Sequence, residues 1–292
     1  MTDHRPEIHI VYDAKHELGE GPIYCEKSNS LYWVNILEGE IWKMDLSTES
    51  PERLCKSDEV IGGFTFQEDG SLLLFRVRDI AKLDPATGTI TSLISFHDEG
   101  MARFNDVIAA PDGSVFAGTI GEFAETGGLY HVSLNGMVTS LFKGTKIANG
   151  MGFSPDLKTF YWTCSSSRTI FAFDYNALSS TLGNRRELYK ATPDEGIPDG
   201  LTLDSKGDLW SARWDGYGFC HITSKGELVQ HYRLPAAQVS SLSFAGPKFD
   251  TLYATSAGAS ANLAEFDGAI FKITGLQTTG KPEFRSKILL DQ

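Results

Sequence analysis

LYWVN at residues 31–35, followed by IWKMD at 41–45, sets a pattern that the chain then repeats. The later copies pair LLLF (72–75) with IAKLD (80–84), VFAGT (115–119) with LYHVS (129–133), and FYWT (160–163) with IFAFD (170–174). Two more follow, LWSA (209–212) with FCHIT (219–223) and LYAT (252–255) with IFKIT (270–274). Each copy joins two short apolar segments rich in aromatic and β-branched residues, the types that suit a pleated surface. Several are introduced by turn sequences, EDG (68–70), PDG (111–113) and SKG (205–207), whose glycines accept positive φ. A repeat of roughly 40 to 50 residues with three or four strands is the period of a propeller blade. Six copies use nearly the whole chain, so the expected fold is all-β, a six-bladed β-propeller forming one domain over residues 1–292. The segment IHIVY (8–12) precedes the first copy and is expected to pair with residues 286–290, closing the ring and removing exposed edges.

Composition narrows the partners. The 292 residues carry 26 Lys and Arg against 38 Asp and Glu, a net charge of −12 that does not suit binding to phosphate backbones. With 41% hydrophobic and 22% charged residues the chain has enough apolar content for a sizeable core. No run reaches the roughly 18 to 20 apolar residues of a membrane span, so neither nucleic acid nor membrane is an expected partner. The start of the chain, through Glu7, has no apolar stretch behind a basic one, which makes a cytoplasmic location the expectation. Cys25, Cys55, Cys164 and Cys220 are widely spaced and are read as reduced core thiols.

Superposing the six copies places Glu20, Gly62, Asn105, Asn149, Asp199 and about Ser241 at the start of each innermost strand. These residues are expected to ring one mouth of the central channel, with small neighbours such as Gly150 and Gly200 leaving space beside the polar heads. Carboxylates crowded in a narrow channel require a counter-charge, which a divalent cation supplies. Ligands that are all oxygen favour a hard ion, calcium first, then magnesium or manganese, over zinc or iron. Channel water capping the strand ends is the other reading of the ring.

The sequence also resembles the SMP-30/regucalcin/gluconolactonase family. The resemblance rests on GEGP (19–22), RFND (103–106), FAGT (116–119), NGM (149–151), IPDGL (197–201) with LW (209–210), and IFKITGL (270–276). It implies a six-bladed propeller and a metal-dependent hydrolase of sugar lactones. Carried over residue by residue, it implies metal binding by Glu20, Asn149 and Asp199, and substrate contacts by Arg103 and Asn105. Asp106 is a further candidate to touch the sugar or orient Arg103. Where the family has a substrate-contacting Glu after AGT, this chain has Phe123, with Glu122 one residue earlier. Either Glu122 serves through a shifted loop or Phe123 forms a different recognition surface.

On this reading Asp199 is the general base for a water attacking the lactone carbonyl, while Arg103 and Asn105 hold ring hydroxyls. The partner is a small-molecule sugar lactone and the protein a monomer or weak homo-oligomer. A related metal-dependent esterase or phosphoesterase, and a non-catalytic calcium-binding propeller, are the competing functions. Ser165 to Ser167 lie in no G-x-S-x-G elbow and are read as inert loop serines. His16 is read as a solvated loop residue, and His131, His221 and Trp210 as packing residues.

Overall fold

The computed structural model describes residues 6–258 and 264–290. Their strands form six four-stranded antiparallel sheets, which arrange as the blades of a β-propeller. The innermost strands are Gly19–Cys25, Ile61–Phe66, Met101–Ala109, Ala148–Phe153, Ile197–Leu203 and Gln238–Ala245, defining blades 1 to 6 in that order. The quoted repeats supply the second and third strands of every blade.

Burial falls outward along each sheet. Ala148–Phe153 is buried throughout, whereas the outermost strand Leu228–Arg233 is largely exposed. Inner strands are packed between neighbouring blades on both faces, so they read as unbroken apolar or small-residue runs. The solvated fourth strands carry polar sequence with little periodic signal. Aromatic residues fill the wedges between blades. Phe116 of blade 3 meets Phe160 and Phe153 of blade 4 at centroid distances of 4.9 and 6.0 Å, and Tyr32 meets Phe66 edge-on at 4.9 Å. All four cysteines are buried free thiols.

Ring closure differs from the expected pairing. Glu7–Tyr12 is the outermost strand of blade 6, paired antiparallel with Ile270–Thr274 (Ile8 opposite Ile273, Ile10 opposite Phe271), and not with residues 286–290. The tail is engaged elsewhere. Ser286 bridges Gln67 in parallel, and the amides of Lys287 and Leu289 donate to the carbonyls of Gly113 and Leu134 at 2.8 Å each, stapling blades 2 and 3. The edge of blade 6 is thereby left to the first strand.

His16 also departs from expectation. It is 3% exposed and accepts a 2.9 Å hydrogen bond at Nε2 from the Trp33 indole. Burial holds its pKa down to about 4, with the nearby Glu40 charge opposing. No helix among the described residues is long and apolar enough to cross a membrane.

Candidate metal and substrate site

Register defines the ring. The first residue of each quoted second-strand segment pairs with an inner-strand residue: Leu31 with Tyr24, Leu72 with Phe66, Val115 with Ala109, Phe160 with Phe153, Leu209 with Leu203, and Leu252 with Phe244. Counting back the same number of residues from each gives Glu20, Gly62, Asn105, Asn149, Asp199 and Ser240. The sixth position is therefore Ser240 and not Ser241. Its hydroxyl is fully buried and donates to the Gly19 carbonyl at 2.5 Å, tying blade 6 to blade 1.

Every inner strand also carries a register shift at this level, between Glu20 and Ile23, Ile61 and Gly63, Phe104 and Val107, Asn149 and Met151, Pro198 and Leu201, and Val239 and Ser241. A β-bulge breaks side-chain alternation and re-aims the residues beside it. The glycines next to the ring residues have a different role from the one expected. A Cβ on Gly150 would stand 2.5 Å from Leu201, and one on Gly200 would stand 2.2 Å from the Ser241 hydroxyl. They are glycine because the next blade fills that space, not because a ligand needs it.

Above the ring lies a cavity of about 200 Å³. Its polar lining is Glu20, Arg103, Asn105, Asn149, Ser165 and Asp199, and its apolar lining is Leu18, Ile36, Ile120, Ile147, Ile197 and Trp214. The structure thus brings together five of the seven residues singled out from sequence. Asp106 instead lines a smaller cavity of about 70 Å³ on the other side of the ring, shared with Glu283 and Phe284 of the tail. Glu122 is exposed and lies outside both linings. Its carbonyl and that of Gly121 accept the Lys146 ammonium at 2.7 and 2.5 Å, which pins the loop, and Phe123 stands 68% exposed beyond it.

A chain of hydrogen bonds orders the polar lining. Arg103 Nη1 donates to Asn105 Oδ1 at 2.6 Å, and Asn105 Nδ2 donates to the Ala148 carbonyl at 3.0 Å and to Asn149 Oδ1 at 2.5 Å. Asn149 Nδ2 donates to Ser165 Oγ at 2.9 Å, and Ser165 Oγ donates to the Pro198 carbonyl at 2.7 Å. A serine hydroxyl has one hydrogen. With that hydrogen on Pro198, Ser165 can only accept from Asn149, so the amide nitrogen faces Ser165 and the oxygen faces Asn105. Ser165 thus supports Asn149, a role with no local signature in the sequence because its partners lie in two other strands.

The two ring carboxylates are in an unfavourable electrostatic state. Burial raises the pKa of Glu20 well above the usual carboxylate range, Asp106 and Asp199 raise it further, and the Gly21 amide and Arg103 oppose. Burial likewise raises Asp199, the Asp106 charge adds to it, and Arg103 and a hydrogen bond from Asn149 oppose. Asp106 is pushed up to about 7 by burial, against Arg103. Arg103 itself falls to about 10 through burial. One guanidinium faces three acids, two of them buried and Asp106 partly so. The donor set of two carboxylates and one oriented amide oxygen, all hard, fits a divalent cation, and the amide oxygen keeps a second lone pair beyond the one Asn105 uses.

A second acidic group, Asp204, Asp208 and His221, has its ligand atoms within 4.8 Å of one another. These atoms already have partners. Asp204 accepts four hydrogen bonds, from the Lys206 and Asp208 amides, the Trp210 indole and the Thr278 hydroxyl, and His221 Nε2 lies 3.0 Å from Asp208 Oδ2.

Comparison with known proteins adds four findings. The model of the SMP-30/gluconolactonase/LRE-like region matches residues 18–258. Pentonolactonase XacC of Haloferax volcanii is 34% identical over 290 residues, covering 96% of this chain and 98% of that protein. Regucalcin of Danio rerio is 31% identical over 288 residues, covering 95% and 97%. Among solved structures, the calcium-binding protein regucalcin from Agrobacterium tumefaciens superposes with a TM-score of 0.88 at 26% identity, covering 96% of this chain and 97% of that one.

Proposed function

The chain belongs to the SMP-30/gluconolactonase/LRE-like family, and from that premise we propose that it is a metal-dependent lactonase opening a sugar lactone to its aldonic acid. The observation that carries this reading is the convergence on one cavity of the buried carboxylates of Glu20 and Asp199 with the Asn149 amide. Asn149 is fixed there by Asn105, which donates to its amide oxygen, and by Ser165, which accepts from its amide nitrogen. These three residues would hold the cation. The oxygen-only donor set, and the calcium-binding description of the Agrobacterium relative, support calcium as that ion. When bound, such an ion polarises an ester carbonyl and makes water more acidic.

The protein's own groups do the rest. Asp199 takes the proton of the attacking water at its carboxylate oxygen and returns it to the ring oxygen as the ester bond breaks. Arg103 has further N–H donors beyond those it places on Asn105 and Phe104, and these hold a substrate oxygen beside the carbonyl. Asn105, locked by Ala148 and Asn149, keeps the guanidinium in place. Leu18, Ile147 and Ile197 above the ring limit water around the reacting carbonyl.

A pH-indicator assay on metal-stripped protein tests this, with five- and six-carbon aldonolactones and calcium, magnesium, manganese, zinc or iron added back. Turnover restored by metal supports the reading. Binding of metal with no turnover of any lactone contradicts it and points to a different ester or to a non-catalytic role.

A further inference from the structure

Four of the five tryptophans are accounted for by packing. Trp33 donates to His16 at 2.9 Å, Trp42 to Glu40 at 3.0 Å and Trp210 to Asp204 at 3.3 Å, while Trp162 packs on Phe142 and Phe171 at centroid distances of 5.0 and 5.6 Å. Trp214 differs from all of them. It is half-buried, and among the described residues its ring packs on no other aromatic ring and its Nε1–H has no acceptor. It is the aromatic side chain of the upper cavity. The indole is also held in place. Trp214 ends the second strand of blade 5, paired with Ile197, and its neighbour Arg213 is fully buried. In the turn that follows, the Gly216 amide donates to the Arg213 carbonyl at 3.2 Å, Arg233 donates to the Gly216 carbonyl at 2.7 Å, and Gln238 donates to Asp215 at 2.9 Å. A Cβ on Gly216 would stand 2.4 Å from the Arg213 Cβ, so the turn has no room to slide inward. The rim loop of blade 3, by contrast, turns both Glu122 and Phe123 away from the cavity lining.

Resting on the lactonase reading, we propose that Trp214 is a substrate-contacting residue, with the C–H face of the lactone ring packed on the indole and the indole N–H given to a hydroxyl at the ring edge. A sugar ring presents C–H bonds on its faces, slightly positive and weakly hydrated, and hydroxyls at its rim. The indole is its complement, with a negative apolar face and one donor at its edge. Within a largely aliphatic wall this combination orients a polyhydroxylated ring, while Arg103 on blade 3 holds a second point of it. The contact is made by the ground state and the transition state alike, so its loss weakens binding and leaves the bond-breaking step in place.

The test uses metal-loaded wild type, Trp214→Phe and Trp214→Leu with the aldonolactone that the wild type turns over best. Trp214→Leu, which removes both face and donor, is expected to raise KM about tenfold or more with kcat within threefold. Trp214→Phe keeps an aromatic face and loses the donor, and KM should rise only about threefold. Calcium affinity should be the same in all three proteins. Tryptophan emission, followed while saturating lactone is being turned over, should change in the wild type and stay constant in Trp214→Phe, a signature that a merely structural indole would not give. An unchanged KM in Trp214→Leu, a calcium affinity that falls with it, or an emission change that survives in Trp214→Phe overturns the proposal and leaves the lactonase reading standing. No turnover of any lactone by the wild type, with metal bound, overturns both.

Discussion

Asp199 and Asp204 lie five residues apart on blade 5, both about 95% buried or more, and they are opposites in what their oxygens have. Asp204 accepts four hydrogen bonds from amides, an indole and a hydroxyl, and stands near Asp208 and His221 at metal-ligand distances. Asp199 shares a channel with Glu20 and Asp106, and burial drives its pKa up with little to offset it. By ligand type and proximity the first group is the more obvious metal site. By unmet demand it is the second, since a cation compensates carboxylates that lack partners and must break bonds at those that have them.

The same substitution at the two aspartates should therefore have opposite consequences. Asp199→Asn is expected to lower kcat for lactone hydrolysis about a thousandfold, while Asp204→Asn leaves it within a few-fold. Comparable losses in the pH-indicator assay would erase the distinction. In urea unfolding Asp204→Asn should cost about 2 to 4 kcal/mol, because an amide NH₂ replaces one acceptor facing two donors. Ser165→Ala removes the group that orients the Asn149 amide, and calcium affinity should fall about tenfold in a calorimetric titration. An unchanged affinity would mean that the amide oxygen is not a ligand. The smallest effect has the opposite sign: in metal-stripped protein Asp199→Asn should raise stability by about 1 kcal/mol, by removing one of the crowded charges.

The parts of this account that were legible in the sequence are those set by short-range pattern. Repeated second and third strands stand out because both their faces are packed, and Asn149 and Asp199 stand out because a glycine must follow each where the next blade presses in. The first strand was placed on the wrong partner. Its residues from Glu7 to Ile10 are exposed, so their pattern carries no register, and the pairing with Ile270–Thr274 is decided by where the tail goes. Ser240 stands one residue before the expected Ser241 because the turn after its strand, GPK at 246–248, departs from the PDG form of the other copies. Ser165 and the split of Asp106 from the upper cavity depend on bulges and cross-blade contacts, which leave no local signature.

The most direct test is a calorimetric titration of metal-stripped wild type, Asp199→Asn and His221→Gln with calcium. The account predicts one site in the wild type, retained in His221→Gln and lost or greatly weakened in Asp199→Asn. Retention of the site in Asp199→Asn, with its loss in His221→Gln, would place the metal at the Asp204 cluster and contradict the account.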